Sequence, residues 1–138
     1  MCSAEDNISI SESISDLALV ALEHGLADRQ HGANFTPFVL IEEDGQCYIR
    51  RCRDANPVHE ASAFLSAAPG ASGAYALAYD GYVTVEDTKF DAVLVIAGEF
   101  GGDGAFVFTQ RYDGAATPFA LIGEPAFIGQ HAALANKD

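Results

Sequence analysis

The sequence is short of positive charge. Seven lysines and arginines stand against twenty aspartates and glutamates in 138 residues, a formal charge of −13, and Lys89 and Lys137 are its two lysines. The acids are spread along the chain rather than gathered in one tail. Binding to DNA, RNA or an anionic membrane needs clustered cations to meet phosphate, so nucleic acid and membrane are not expected partners. A dispersed acidic coat supplies solubility and repels polyanions, and it also suits a high-salt setting. Long apolar runs are missing too, since none approaches the ~20 residues needed to span a bilayer. The opening MCSAEDNISISESISD has neither a basic start nor an apolar centre, so no secretory signal is expected and the expected setting is the cytoplasm.

Cysteine is scarce, and its spacing is restrictive. Cys47 and Cys52 lie five apart in GQCYIRRCRDANPVHE, which reads as a strand running into a helix. Strand side chains alternate faces, so an odd separation puts the two thiols on opposite sides, roughly 17 Å apart. They cannot bridge, and they cannot share a zinc ion whose ligands must sit within about 2.3 Å. Cys47 shares its face with Phe38, Leu40 and Ile49 and is expected as a small buried hydrophobe. His24 and His31 lie about 10.5 Å apart by helix rise, too far to hold one ion. No flanking sequence around Cys2 or Cys52 resembles an activated-thiol motif. No metal and no cofactor are therefore expected.

What is present is a globular composition, 49% hydrophobic and 20% charged, of a length that suits one domain. A single domain over 1–138 is expected, with flexible tails over about 1–8 and 126–138. From about Ser13 to Gln30, Ile14, Leu17, Ala18, Ala21 and Leu22 fall at three- and four-residue spacings, which predicts a helix. Serines 11, 13 and 15 offer N-caps, Gly25 is a point where the helix could shorten, and Gly32 is its expected end. Residues 36–52 read as a hairpin turning at Asp44-Gly45, with Glu43 facing Gln46 and Val39 facing Arg50. Asn56 then caps a second helix with Pro57 at its first position and Val58, Ala61, Phe64 and Leu65 as its stripe. Pro69-Gly70 ends it.

The remainder reads as strand. In AYALAYDGYVTVEDTKFDAVLVIAGEF the hairpin could turn at Asp80-Gly81 or at Glu86–Lys89. Burial of large side chains favours the second, with Tyr79, Val83 and Val85 level with Ile96, Ala92 and Phe90, and Gly81 as a bend or bulge. Phe106 and Phe108 are expected to continue that apolar face after a glycine-rich loop at 98–104, and PFALIGEP forms a last short strand. The fold class is therefore α+β: one antiparallel sheet of five or six strands with two helices, in the order α-β-β-α-β-β-β. In element order alone this resembles roadblock and profilin-like domains.

Three chemical readings remain. The loop AGEFGGDGAF lacks the Lys-Ser/Thr pair of a phosphate loop and precedes no helix pattern, and it is short of calcium ligands. Glu99 and Asp103 could form an acid–base pair, a pairing common on any acidic surface. Arg50, Arg51 and Arg53 form the one basic cluster, suited to gripping a carboxylate or phosphate, to pairing with the chain's own acids or to guarding a sheet edge. Seven aromatics on the last long strands exceed what two helices cover, which leaves some for a pocket or an interface. The expected function is a non-enzymatic protein-interaction or self-associating module, whose partner is a second copy or another protein. Its expected interface or ligand-binding residues are Arg50, Arg51, Arg53, Tyr79 and Tyr82, with no catalytic residue. The alternative is a small-ligand-binding or enzymatic domain with an aromatic-lined pocket gated by residues 98–104.

Overall fold

The computed structural model describes residues 12–30, 36–43, 46–67, 73–102, 104–113 and 120–135. Along the chain these form α1 (Glu12–Gln30), β1 (Phe38–Glu43), β2 (Gln46–Arg51), α2 (Pro57–Ser66), β3 (Ala74–Val85), β4 (Thr88–Glu99), β5 (Gly104–Asp113) and β6 (Ala120–Ala132). The strands make one antiparallel sheet in the order β2-β1-β3-β4-β5-β6. The α+β class and the element order read from the sequence are those of the structure, with the sixth strand present.

The helices pack on opposite faces. Ile14, Leu17, Ala18, Ala21 and Leu22 of α1 are all buried, against Phe38, Leu40, Val93, Val95 and Phe108. Gly25 is buried within the helix and does not shorten it, while Ser11 and Gly32 lie outside the described residues. Ala74, Ala76, Ala78 and Ala97 face α1, and their small side chains let the helix lie close to β3 and β4. On the other face Ala61 and Leu65 of α2 meet Val39, Leu77 and Ile96. α2 starts as its sequence dictates: Asn56 Oδ1 accepts from the His59 N–H at 3.1 Å and Pro57 occupies the first helical position.

The β1–β2 register is the expected one, with Glu43 opposite Gln46 and Val39 opposite Arg50; Asp44-Gly45 itself lies outside the described residues, as does Pro69-Gly70. The β3–β4 hairpin departs from expectation by two residues. Val83 faces Phe90 and Tyr79 faces Leu94, because the turn is the two-residue Glu86–Asp87, both at positive φ (49° and 67°). That is the geometry of a type I′ turn without its usual asparagine and glycine. The pairing runs unbroken from Ala74–Glu99 to Val85–Thr88, so Asp80-Gly81 is neither turn nor bulge. A Cβ at Gly81 would meet Leu94 Cδ1 at 2.9 Å, so glycine makes room for that side chain.

Three further expectations are corrected. Phe106 and Phe108 pair with Ala97 and Val95 and lie on the α1 face, not on the face of Tyr79 and Val83; the turn after Glu99 sets that parity. Cys47 does lie on the face of Phe38 and Leu40 but is exposed, because β2 is the sheet edge and α1 covers β3 and β4. Residues 126–135, expected as part of a tail, complete β6 and run into the core, where Leu134 is 2% exposed. Ser62 and Ser66 of α2 donate to the Leu134 carbonyl (2.7 and 3.3 Å), and the Leu134 N–H donates to Tyr75 Oη (3.0 Å). Glycine at position 98 makes this clasp possible, since a Cβ there would lie 2.7 Å from Tyr75 Oη.

Candidate functional site

The stretch from Gln46 to Glu60 is stitched to its own surroundings. Arg50 lies over the Phe64 ring, 4.0 Å from its centroid. Arg51, on the opposite face of β2, donates to Asp28 Oδ2 at 3.1 Å and to the Thr36 carbonyl at 3.0 Å, and its guanidinium lies 5.1 Å from the Phe38 ring. Just past the strand, Glu60 Oε1 accepts from the N–H groups of Arg53 and Asp54 at 2.7 Å each. These backbone bonds, that of Asp54 foremost, hold the Glu60 carboxyl below its ordinary range. Cys52 is buried beneath this corner with its pKa raised, mainly by burial. The Cys47 thiol is also pushed up, by partial desolvation and then by Glu42. Thiol nucleophiles are made by lowering the pKa, and both described thiols move the other way.

Tyr79 and Tyr82 do not join the arginines. An odd separation on β3 puts them on opposite faces: Tyr79 is half-buried on the α2 side and Tyr82 is exposed on the α1 side, with Lys89 Nζ 4.0 Å from its ring centroid. Arg51 aligns with Phe38 and Ala78, so Tyr82 lies four residues further along the hairpin. In the loop expected to gate an aromatic pocket, Phe100 packs onto the core. Phe100 stacks edge-on against Tyr75 at 5.5 Å, and its N–H donates to the Gly73 carbonyl; Asp103 lies outside the described residues. Among the described residues no three His, Cys, Asp or Glu side chains converge as a metal set, and no helix is long and apolar enough to cross a membrane.

A gap in the layering lies elsewhere. α1 lies over β3 and β4, so the same face of β5 and β6 has little helix above it. Phe127 of β6 packs on Phe106 and Phe108 of β5, with centroids 6.1 and 5.8 Å apart, yet stays 39% exposed. Where the β5–β6 ladder slips after Thr109, Gln110 repairs it: its buried Nε2 donates to the carbonyls of Ile122 and Gly123 at 3.3 and 3.2 Å. Between this strand pair and α1 runs a groove of about 380 Å³ lined by Leu19, Leu22 and Leu26 from the helix and Leu121 from β6. Exposed Glu23 and Glu124 stand on its two walls. Below the C-terminal end of α1, Tyr112 donates to Asp80 Oδ1 (2.7 Å) and accepts from Arg29 Nε (3.1 Å), fixing the helix to the sheet.

Sequence reasoning missed these residues, although one signal was present. Leu19 and Val20 fall outside the buried stripe of α1, apolar groups on what should be the polar side. Leu121 and Phe127 carried no such signal, being split between a short strand and an expected tail. The groove offers apolar contact from its leucines and negative charge from Glu23 and Glu124. Comparison with known protein families, curated proteins and solved structures gave no match.

Proposed function

We propose that the protein is a non-enzymatic, cytoplasmic protein-interaction module that receives an apolar segment of a partner in the groove between α1 and β6. The observation that carries this reading is the exposure of Leu121 (55%) and Leu19 (45%) on facing walls of that groove. Full burial of such side chains is worth about 1.5–3 kcal/mol each, so covering the exposed halves of Leu19 and Leu121 gives roughly 1.5–3 kcal/mol. Association costs about 4 kcal/mol or more, so the apolar side chains that the partner itself buries must supply the balance, which suits a transient partner. Free Cys47 and Cys52 accord with a reducing compartment. A second copy of the chain is the other expected occupant, but two bodies of formal charge −13 repel each other.

The test is a neutral 18-residue helical peptide with leucines at a three-and-four spacing, titrated by fluorescence anisotropy. Saturable binding that weakens about tenfold or more in Leu121→Ser supports the groove, as expected for about 1.4 kcal/mol of lost contact. Binding that is absent, or indifferent to Leu121, contradicts it.

A second reading rests on one other feature. At the far end of the β3–β4 hairpin, on the α2 face, a trough of about 450 Å³ is lined by Val83, Val85, Thr109, Arg111, Ala126 and Ile128. Aliphatic walls with one guanidinium favour a small apolar anion such as a medium-chain carboxylate. Decanoate that protects Arg111 from modification by phenylglyoxal would favour this ligand-binding alternative; no protection would remove it.

A further inference from the structure

We propose that the segment this groove receives is a basic amphipathic helix, an inference that rests on the groove being the docking surface. Exposed Leu19 and half-buried Leu26 lie at i and i+7 along α1, with the buried Leu22 between them at the floor of the groove. That is the seam against which a second helix packs side by side. Rotating about α1 away from the sheet, the next positions after this seam are Glu12, Asp16 and Glu23, all exposed. They form an acidic row along the same edge of the helix. Glu124 answers them from β6. The one cation of α1, Arg29, lies in its last turn and is held by Tyr112 and Asp80. A helix lying in the trough therefore has leucine-type contacts beneath it, a row of carboxylates along the α1 flank and Glu124 on the other. Lysines or arginines bordering its apolar stripe complete the match, and acidic residues there meet like charge. The same charges disfavour a second copy of this chain, which would bring its own acids to the rim.

Three peptides with one leucine pattern and polar faces of lysine, glutamine or glutamate separate the contributions by anisotropy. In ~20 mM salt the lysine peptide should bind about tenfold more tightly than the glutamine peptide, the yield of two or three partly exposed ion pairs. Most of that advantage should vanish by ~0.5 M salt. The overall charge of −13 attracts any cation, so the variant pair Glu23→Lys/Glu124→Lys is set against Asp54→Lys/Glu86→Lys, which makes the same charge change away from the groove. The inference requires the groove pair to weaken the lysine peptide at least fivefold more than the remote pair and to strengthen the glutamate peptide. Equal losses from both pairs would mean general attraction and overturn the assignment. Equal binding of lysine and glutamine peptides would overturn it while leaving the groove intact, and failure of all three would remove the groove as well.

Discussion

Tyr112 shows how far a single residue's role can lie from its local sequence. It is one aromatic among several on β5, yet its hydroxyl joins Asp80, 32 residues away, to Arg29, 83 residues away. Burial first, and then the hydrogen bond it donates to the Asp80 carboxylate, push its pKa up to about 12. A tyrosine whose folded pKa exceeds its unfolded value of about 10 stabilises in full below pH ~10 and loses that contribution as pH rises toward ~12. Urea titrations from pH 9 to 12 should show the fall, and Tyr112→Phe should flatten it while costing about 1 kcal/mol at pH 7. An equal fall in both proteins would place the titration elsewhere. The thiols give a second residue-scale test. With Cys2 replaced by serine, a disulfide reagent should label exposed Cys47 promptly and leave buried Cys52 unmodified until the protein unfolds. Burial of Cys52 was not legible, because it depends on α2 folding back over the end of β2.

At the scale of elements, legibility followed the strength of the local signal. Both helices could be read because a period near 3.6 and a side-chain cap act within a few residues. The β1–β2 register followed from Asp-Gly. The β3–β4 hairpin was placed on the right face but two residues out of register, because Glu86 and Asp87 adopt left-handed conformations that their identities do not announce. Replacing them by Asn-Gly should stabilise the fold by roughly 0.5–1 kcal/mol, read from the urea midpoint, since glycine takes positive φ without steric cost. No gain would mean that the turn has another geometry. β6 was read short because Pro125 and the slips in its pairing interrupt the alternation; an edge strand tolerates both. Its continuation into the core is structural, so Leu134→Ala should cost about 2–4 kcal/mol. Ser62→Ala should cost about 1 kcal/mol through the lost donor to the Leu134 carbonyl.

At the scale of the whole molecule, two features dominate: a sheet wider than its helices can cover, and a charge of −13. The sequence announced both in part, the first as an excess of aromatics and the second directly. It did not say where the uncovered face would lie, because that depends on α1 crossing β3 and β4 rather than β5. Light scattering in ~20 mM salt should give the monomer mass, with any self-association appearing only as salt screens the repulsion. A dimer already present in dilute salt would point to a second copy as the occupant of the groove. The most direct measurement is a map of backbone amide shifts as the neutral leucine peptide is titrated in. If the groove is the docking surface, the perturbed amides should form one patch on Leu19–Leu26 and β6 around Leu121, and should disappear in Leu121→Ser. Shifts confined to the β3–β4 hairpin or the β2 edge, or no shifts at saturating peptide, would contradict it.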